Sequence, residues 1–220
     1  MKKVIVLFAI IAISFLLVGC GPNTLRPEGE LVSRSQEVET FNAISIGGVF
    51  NVTFQHGTET SVVLYVQDNL YEITEISVSN NVLNIRIRSG YGITMAASTP
   101  RPRIYITAPT LTSAILSGQT TSTIEVEESS FTLTASGQSR VTLTGSAPTL
   151  TVTASGQSDV SAFGLGSANA TVTASGQSNV NVNATQILAG TASGQSRVTH
   201  QGNPTVTITT SGQARVQAYS

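Results

Sequence analysis

The chain has 220 residues, 11 Lys plus Arg against 12 Asp plus Glu, a formal net charge of −1 and a single Cys. It lacks the basic stripe that nucleic-acid binding needs and the second thiol that an internal disulfide needs. Its length suits one domain or one elongated array.

Met1-Lys2-Lys3 followed by an uncharged apolar run from Val4 to Gly19 is a secretory signal pattern. The run ends in Leu17-Val18-Gly19-Cys20, which resembles the lipobox of bacterial lipoproteins. That resemblance implies that Cys20 receives diacylglycerol and becomes the new N-terminus, anchoring an exported protein to the outer membrane or the cell surface. Lys2 and Lys3 are the only lysines, so the chain from Cys20 onward carries 9 Arg against 12 acids, 9 − 12 = −3. Residues 21–36, with Pro22, Asn23, Pro27 and Gly29, lack periodicity and read as a tether between lipid and domain.

From Glu37 a period of two sets in. Phe41, Ile44 and Ile46 lead to Phe50, Val52 and Phe54, then to Val62-Val63-Leu64-Tyr65-Val66 and Val82-Leu83-Asn84-Ile85. Gly47-Gly48, His56-Gly57 and Asn80-Asn81 fall between these runs as turns, and only Asp68 to Ile73 offers a helical turn. Residues 37–108 are therefore a β region, leading into a repeat array over residues 109–220.

The array is marked by Ser-Gly-Gln, which begins at Ser117, Ser136, Ser155, Ser175, Ser193 and Ser211, at spacings of 19, 19, 20, 18 and 18 residues. A period near 20 that tolerates a residue either way predicts stacked coils. Before each motif, apolar residues alternate with threonines, as in Phe131, Leu133 and Ala135; after it comes a second apolar pair, such as Val141 and Leu143. Each coil is thus expected to hold two short strands with inward apolar side chains, joined by a bend. An inward Gly137 would serve the bend, Ser136 and Gln138 would point outward, and Gln119, Gln138, Gln157, Gln177, Gln195 and Gln213 would form an amide ladder. The spacings are not multiples of six, and neither leucine-rich nor calcium-binding nonapeptide patterns are present. A right-handed parallel β-helix, all-β with about 18–20 residues per coil, remains.

The chain at this point resembles the putative auto-transporter adhesin, head GIN domain family. The residues that carry the likeness are Phe41-Asn42-Ala43-Ile44-Ser45-Ile46, Val49-Phe50-Asn51-Val52, Gly57, Asp68-Asn69-Leu70, Ile104-Tyr105-Ile106-Thr107-Ala108-Pro109 and the recurring Ser-Gly-Gln-Ser. The resemblance spans about Glu37 to Ser220 and implies a secreted or lipid-anchored right-handed β-helix. It brings no functional residue with it.

Catalysis by a β-helix needs clustered acids or bases on one face. Residues 109–220 hold only Glu125, Glu127, Glu128 and Asp159 as acids and Arg140, Arg197 and Arg215 as bases. His56 and His200 have no ligand partner at metal spacing, and Ser-Gly-Gln lacks the second Gly of a nucleophile elbow. No catalytic residue, metal or cofactor is expected.

Two outward arrays are the candidate binding surface. One is the column three residues after each Gly: Thr121, Arg140, Asp159, Asn179, Arg197 and Arg215, which stacking would bring side by side. The other is a flat threonine face made by Thr132 and Thr134, Thr151 and Thr153, Thr171 and Thr173, and Thr207 and Thr209, interrupted at Ala189. The function expected is a non-catalytic, lipid-anchored envelope solenoid, adhesin-like or ligand-presenting, with a glycan or an envelope protein as partner. A structural or stress-related envelope role, an ice-binding Thr-x-Thr face and a polysaccharide-active enzyme are the alternatives. The coil after Ser211 has no capping element, so either Ala218-Tyr219-Ser220 folds over the core or two molecules meet end to end.

Overall fold

The computed structural model describes residues 23–219. The expected signal segment, residues 1–20 with Cys20, lies outside the described residues. In chain order the elements before the repeats are β1 (Asn23–Leu25), β2 (Val32–Gln36), β3 (Ala43–Gly48), β4 (Asn51–His56), β5 (Ser61–Val66), α1 (Asp68–Tyr71), β6 (Thr74–Ser79), β7 (Val82–Ile87), β8 (Tyr91–Ile93) and β9 (Arg103–Ala108). The repeats supply β10 (Ser113–Gly118), β11 (Thr121–Glu127), β12 (Ser130–Ala135), β13 (Arg140–Ser146), β14 (Thr149–Ala154), β15 (Asp159–Ala174), β16 (Asn179–Ala192), β17 (Arg197–Gln201), β18 (Thr205–Thr210) and β19 (Arg215–Ala218).

These strands wind as a right-handed parallel β-helix, with helix confined to 2% of the chain. Strands before each Ser-Gly-Gln stack on one another, β10 on β12 on β14 on the second half of β15. Strands after it form a second parallel stack, β11 on β13 on the first half of β15, then on β16, β17 and β19. Inward residues of the two stacks meet in one core running the length of the array: Leu133, Ala135, Val141, Leu143, Val160 and Val180 are each 0% exposed.

The β region before the repeats is part of the same helix. β3 lies in register under β10, with Gly47 and Gly48 opposite Ser117 and Gly118, and β4 lies under β11. β7 and β9 form one further coil beneath β3 and β4. The stacking order therefore departs from chain order, since the chain descends to β7 and β9 before β10 returns to the upper side of β3. Antiparallel strands close this end: β6 on β7, and β5 on β9.

Residues 23–36 depart from the tether expectation. β1 pairs with β8, and β2 pairs antiparallel with β5, bringing Arg34 within 2.6 Å of Asp68 and its guanidinium over the Tyr71 ring. The segment lacks a repeat pattern because it joins an edge of the stack and faces no continuing core.

The bend also differs in detail. Gly137 is exposed, at φ +73°, and a Cβ there would sit 2.8 Å from the carbonyl oxygen of Gly118 in the adjacent coil. Left-handed backbone and lack of room both demand Gly. The inward position belongs to the residue after Gln: Thr120, Ser139, Ser158, Ser178 and Ser196 are all buried. Ser158 donates to the Ser155 carbonyl at 2.9 Å, while Ser178 and Ser196 reach carbonyls of the preceding coil. A small side chain fits this corner, and three of the five hydroxyls find a backbone acceptor there, while those of Thr120 and Ser139 have no hydrogen-bond partner among the described residues. The ladder continues through the bend, with Gln138 and Gln157 amides donating to Gly118 and Gly137 carbonyls at 2.8 and 2.7 Å.

Candidate functional site

The outward face of the second stack is a column held in strict register by its backbone. Arg103, Asn51, Thr121, Arg140, Asp159, Asn179, Arg197 and Arg215 follow one another across successive coils. The column anticipated from the repeats thus extends into the first coils, which sequence alignment on Ser-Gly-Gln had no marker to reach. Arg140 meets Asp159 at 3.7 Å, with both side chains well exposed. Such a pair contributes about 0–1 kcal/mol and mainly fixes the two side chains. Arg197 and Arg215, in register on adjacent strands, form no ion pair among the described residues.

One coil breaks the pattern. Between Thr142 and Thr144 of β13, the single residue Leu143 faces Ala162 and Phe163 of β15. This bulge absorbs the extra residue of the 20-residue repeat. Ala162 keeps the inward place, at 0% exposure, and Phe163, next in the alternation, lies half-buried on the outer face. Its ring meets that of Tyr219, centroids 5.0 Å apart and planes at 62°. The Tyr219 amide donates to the His200 carbonyl at 2.8 Å, so the chain end continues the strand and turns its ring back along the outer face. Of the two expectations for this end, folding over the core does not occur for Tyr219: Val206 of the last coil remains 41% exposed.

The aromatic pair and three residues of the polar column line an open, shallow groove of about 410 Å³. Asp159, Asn179 and Arg197 form one side, Asn181, Thr199 and Gln217 the floor, and Phe163 and Tyr219 the opposite wall. Sequence reasoning missed both aromatics, because alignment on the serines places Phe163 at an outward position held by Thr144, Asn183 and Gln201 in other coils and gives no sign that Tyr219 reaches it. The 20-residue spacing was the signal available.

On the first stack the threonines fall into two columns. Thr132, Thr151 and Thr171 are in register, as are Thr134, Thr153 and Thr173; Ala189 then interrupts before Thr207, while Thr191 carries the second column to Thr209. Towards the first coils the columns change to Ser113 and Ile115, so the all-threonine face is three coils long. Beside the bend, Gln138, Gln157, Gln177 and Gln195 link side chain to side chain at 3.2–3.3 Å. The ladder joins four of the six glutamines expected, without Gln119 and Gln213.

The titratable groups are dispersed. Glu128 accepts the Leu111 amide at 2.8 Å, and His200 occupies an inward position between Val182 and Ala218. Among the described residues no group of three or more His, Cys, Asp or Glu could hold a metal ion. No helix among them is long and apolar enough to cross a membrane.

The model of the putative auto-transporter adhesin, head GIN domain family matches residues 40–204. The chain belongs to this family. No curated protein sequence matches it. Among solved structures, a putative adhesin from Bacteroides fragilis aligns with TM-score 0.67 at 19% identity, covering 89% of this chain and all of its own. A putative lipid binding protein from Parabacteroides distasonis gives TM-score 0.56 at 14% identity, and a putative adhesin from Parabacteroides merdae 0.50 at 17% identity. Each of these two covers 90% of this chain and 100% of its own. At these identities the likeness establishes the head GIN fold and no shared ligand.

Proposed function

We propose that this head GIN domain protein is an exported, lipid-anchored, non-catalytic solenoid of the bacterial cell envelope that adheres to a glycan or an envelope protein through a rigid outer face. The observation that carries the reading is the eight-position polar column, held in register from Arg103 to Arg215 by continuous parallel pairing. A surface fixed by the backbone loses little conformational entropy on binding an extended partner. The dispersed titratable groups favour presentation over acid–base chemistry, and the Cys20 segment favours attachment to a membrane.

Glycan arrays and envelope pull-downs with the purified protein are expected to give retention above a scrambled-surface control; background signal in both favours a structural envelope role. Cys20→Ser is expected to leave the protein out of the detergent phase on partitioning, and continued partitioning removes the lipid anchor. The threonine columns are expected to give no thermal hysteresis at high protein concentration, because Ala189 and Ile115 bound the uniform face; measurable hysteresis restores an ice-binding role.

A further inference from the structure

The geometry points to an acidic glycan, with carboxylate or sulfate groups on its sugars, as the ligand of the groove between the Phe163–Tyr219 pair and Asp159, Asn179 and Arg197, with Arg215 next in register after Arg197. The assignment rests on the adhesion reading and narrows it to one face and one chemistry.

Charge is the first argument. Arg197 and Arg215 are in-register neighbours, and like charges directly opposite on adjacent strands are destabilising. The fold does not need them, since the same register position holds Thr121 and Asn179 in other coils. Asp159 is already engaged by Arg140 at 3.7 Å. The four charged side chains of this stretch, Arg140, Asp159, Arg197 and Arg215, sum to 3 − 1 = +2, in a chain whose net charge is −1. Two adjacent planar guanidinium forks without a carboxylate among the described residues are suited to a carboxylate or sulfate, which each can grip with two parallel hydrogen bonds.

Shape and polarity supply the second argument. A sugar ring has an apolar C–H face and a rim of hydroxyls, and the groove presents both complements. Phe163 follows inward Ala162 and is half-buried on the outer face, and Tyr219 is 59% exposed, so together they offer apolar surface. Asn179, Asn181 and Gln217 carry amides that both donate and accept, as a hydroxyl rim requires. Strands about 4.8 Å apart make the run from Asp159 to Arg215 about 14 Å long, which fits a short oligosaccharide lying along the solenoid axis. Arginines near the last strands also discourage edge pairing. That role accounts for charge but for neither the aromatic wall nor the amide floor.

The test titrates the full chain in detergent micelles with four probes of matched length: an oligogalacturonate, a heparin oligosaccharide, a neutral glucan and a poly-glutamate peptide. At least one acidic oligosaccharide is expected to bind about tenfold or more tighter than the neutral glucan and the peptide, the worth of one charge-assisted contact. Which acidic probe wins separates carboxylated from sulfated sugars. The double variant Arg197→Asn with Arg215→Thr uses residues already tolerated in this column and is expected to lose that preference while keeping the parent melting profile. Tyr219→Ala, at an exposed side chain, is expected to weaken acidic-glycan binding several-fold without altering the fold.

Equal binding of neutral and acidic glycans, undiminished binding by the arginine variant, or poly-glutamate binding as tight as the glycans each overturns the assignment. If no probe binds while the glycan array or pull-down still retains the protein, the groove is the wrong site and the adhesion reading stands. Loss of all retention removes both.

Discussion

The two ends of this solenoid are built from opposite solutions. At one end antiparallel β6 and β5 lie across the parallel coils, and the core beneath them is large and aromatic: Phe50, Phe54, Leu64 and Ile85 are 0–1% exposed. At the other end β18 and β19 simply repeat the preceding coil, and Val206 is 41% exposed where Leu188, in register one coil below, is 0% exposed. A parallel coil always presents a template for the next, so repetition extends a core without ending it. Reversal of strand direction, with bulkier side chains beneath, ends it. The candidate groove lies toward the β19 end, where the repeat is interrupted by a bulge and one inward column runs through Ala162, Val182, His200 and Ala218.

The contrast can be broken by substitution and read out by urea unfolding. Phe54→Ala beneath the closed end is expected to cost about 3–5 kcal/mol through lost transfer energy and a cavity; a cost below 1 kcal/mol shows that the closed end does not set stability. Leu188→Ala is expected to cost about 2–5 kcal/mol, whereas Val206→Ala in the same column is expected to cost no more than about 1 kcal/mol. Hydrogen exchange should agree, with β18 amides exchanging faster than those of β12; equal rates mean that something else covers the open end.

Gly137→Ala tests the stacked bend. It is expected to cost about 1–3 kcal/mol from left-handed backbone, together with displacement of the Gly118 carbonyl, 2.8 Å from the added Cβ. Gly29→Ala, at φ +89° with open space around it, isolates the backbone contribution and is expected to cost about 1–2 kcal/mol. Equal losses at the two sites remove the argument from close approach. The smallest effect is at the surface: a double-mutant cycle on Arg140 and Asp159 should give about 0.2–1 kcal/mol, toward the low end because their side chains are 68% and 44% exposed. A coupling well above that range shows the pair to be more than a cross-strand contact.

Much of this geometry could be read directly. Aligning the serines placed Arg140 opposite Asp159 and Thr132 opposite Thr151, because in a parallel stack register follows the repeat alone. The buried Ser139 was less legible: its hydroxyl reads as solvent-facing until the bend angle turns it inward, although a hydroxyl recurs at that offset from Thr120 to Ser196. The strands at Asn23–Leu25 and Val32–Gln36 were illegible for a different reason, since their pairing partners lie far along the chain.

The sequence by itself determined the coil: its period, its inward apolar alternation, its glycine bend and the order of polar residues down its outer face. All of these are local or nearest-neighbour properties, and a repeat states them again in every unit. Only the tertiary structure decided how the array ends, that β7 and β9 lie beneath β3 and β4, and that Phe163 on the outer face meets Tyr219. Those features depend on contacts between units that no longer repeat, where the register of one coil stops predicting that of the next.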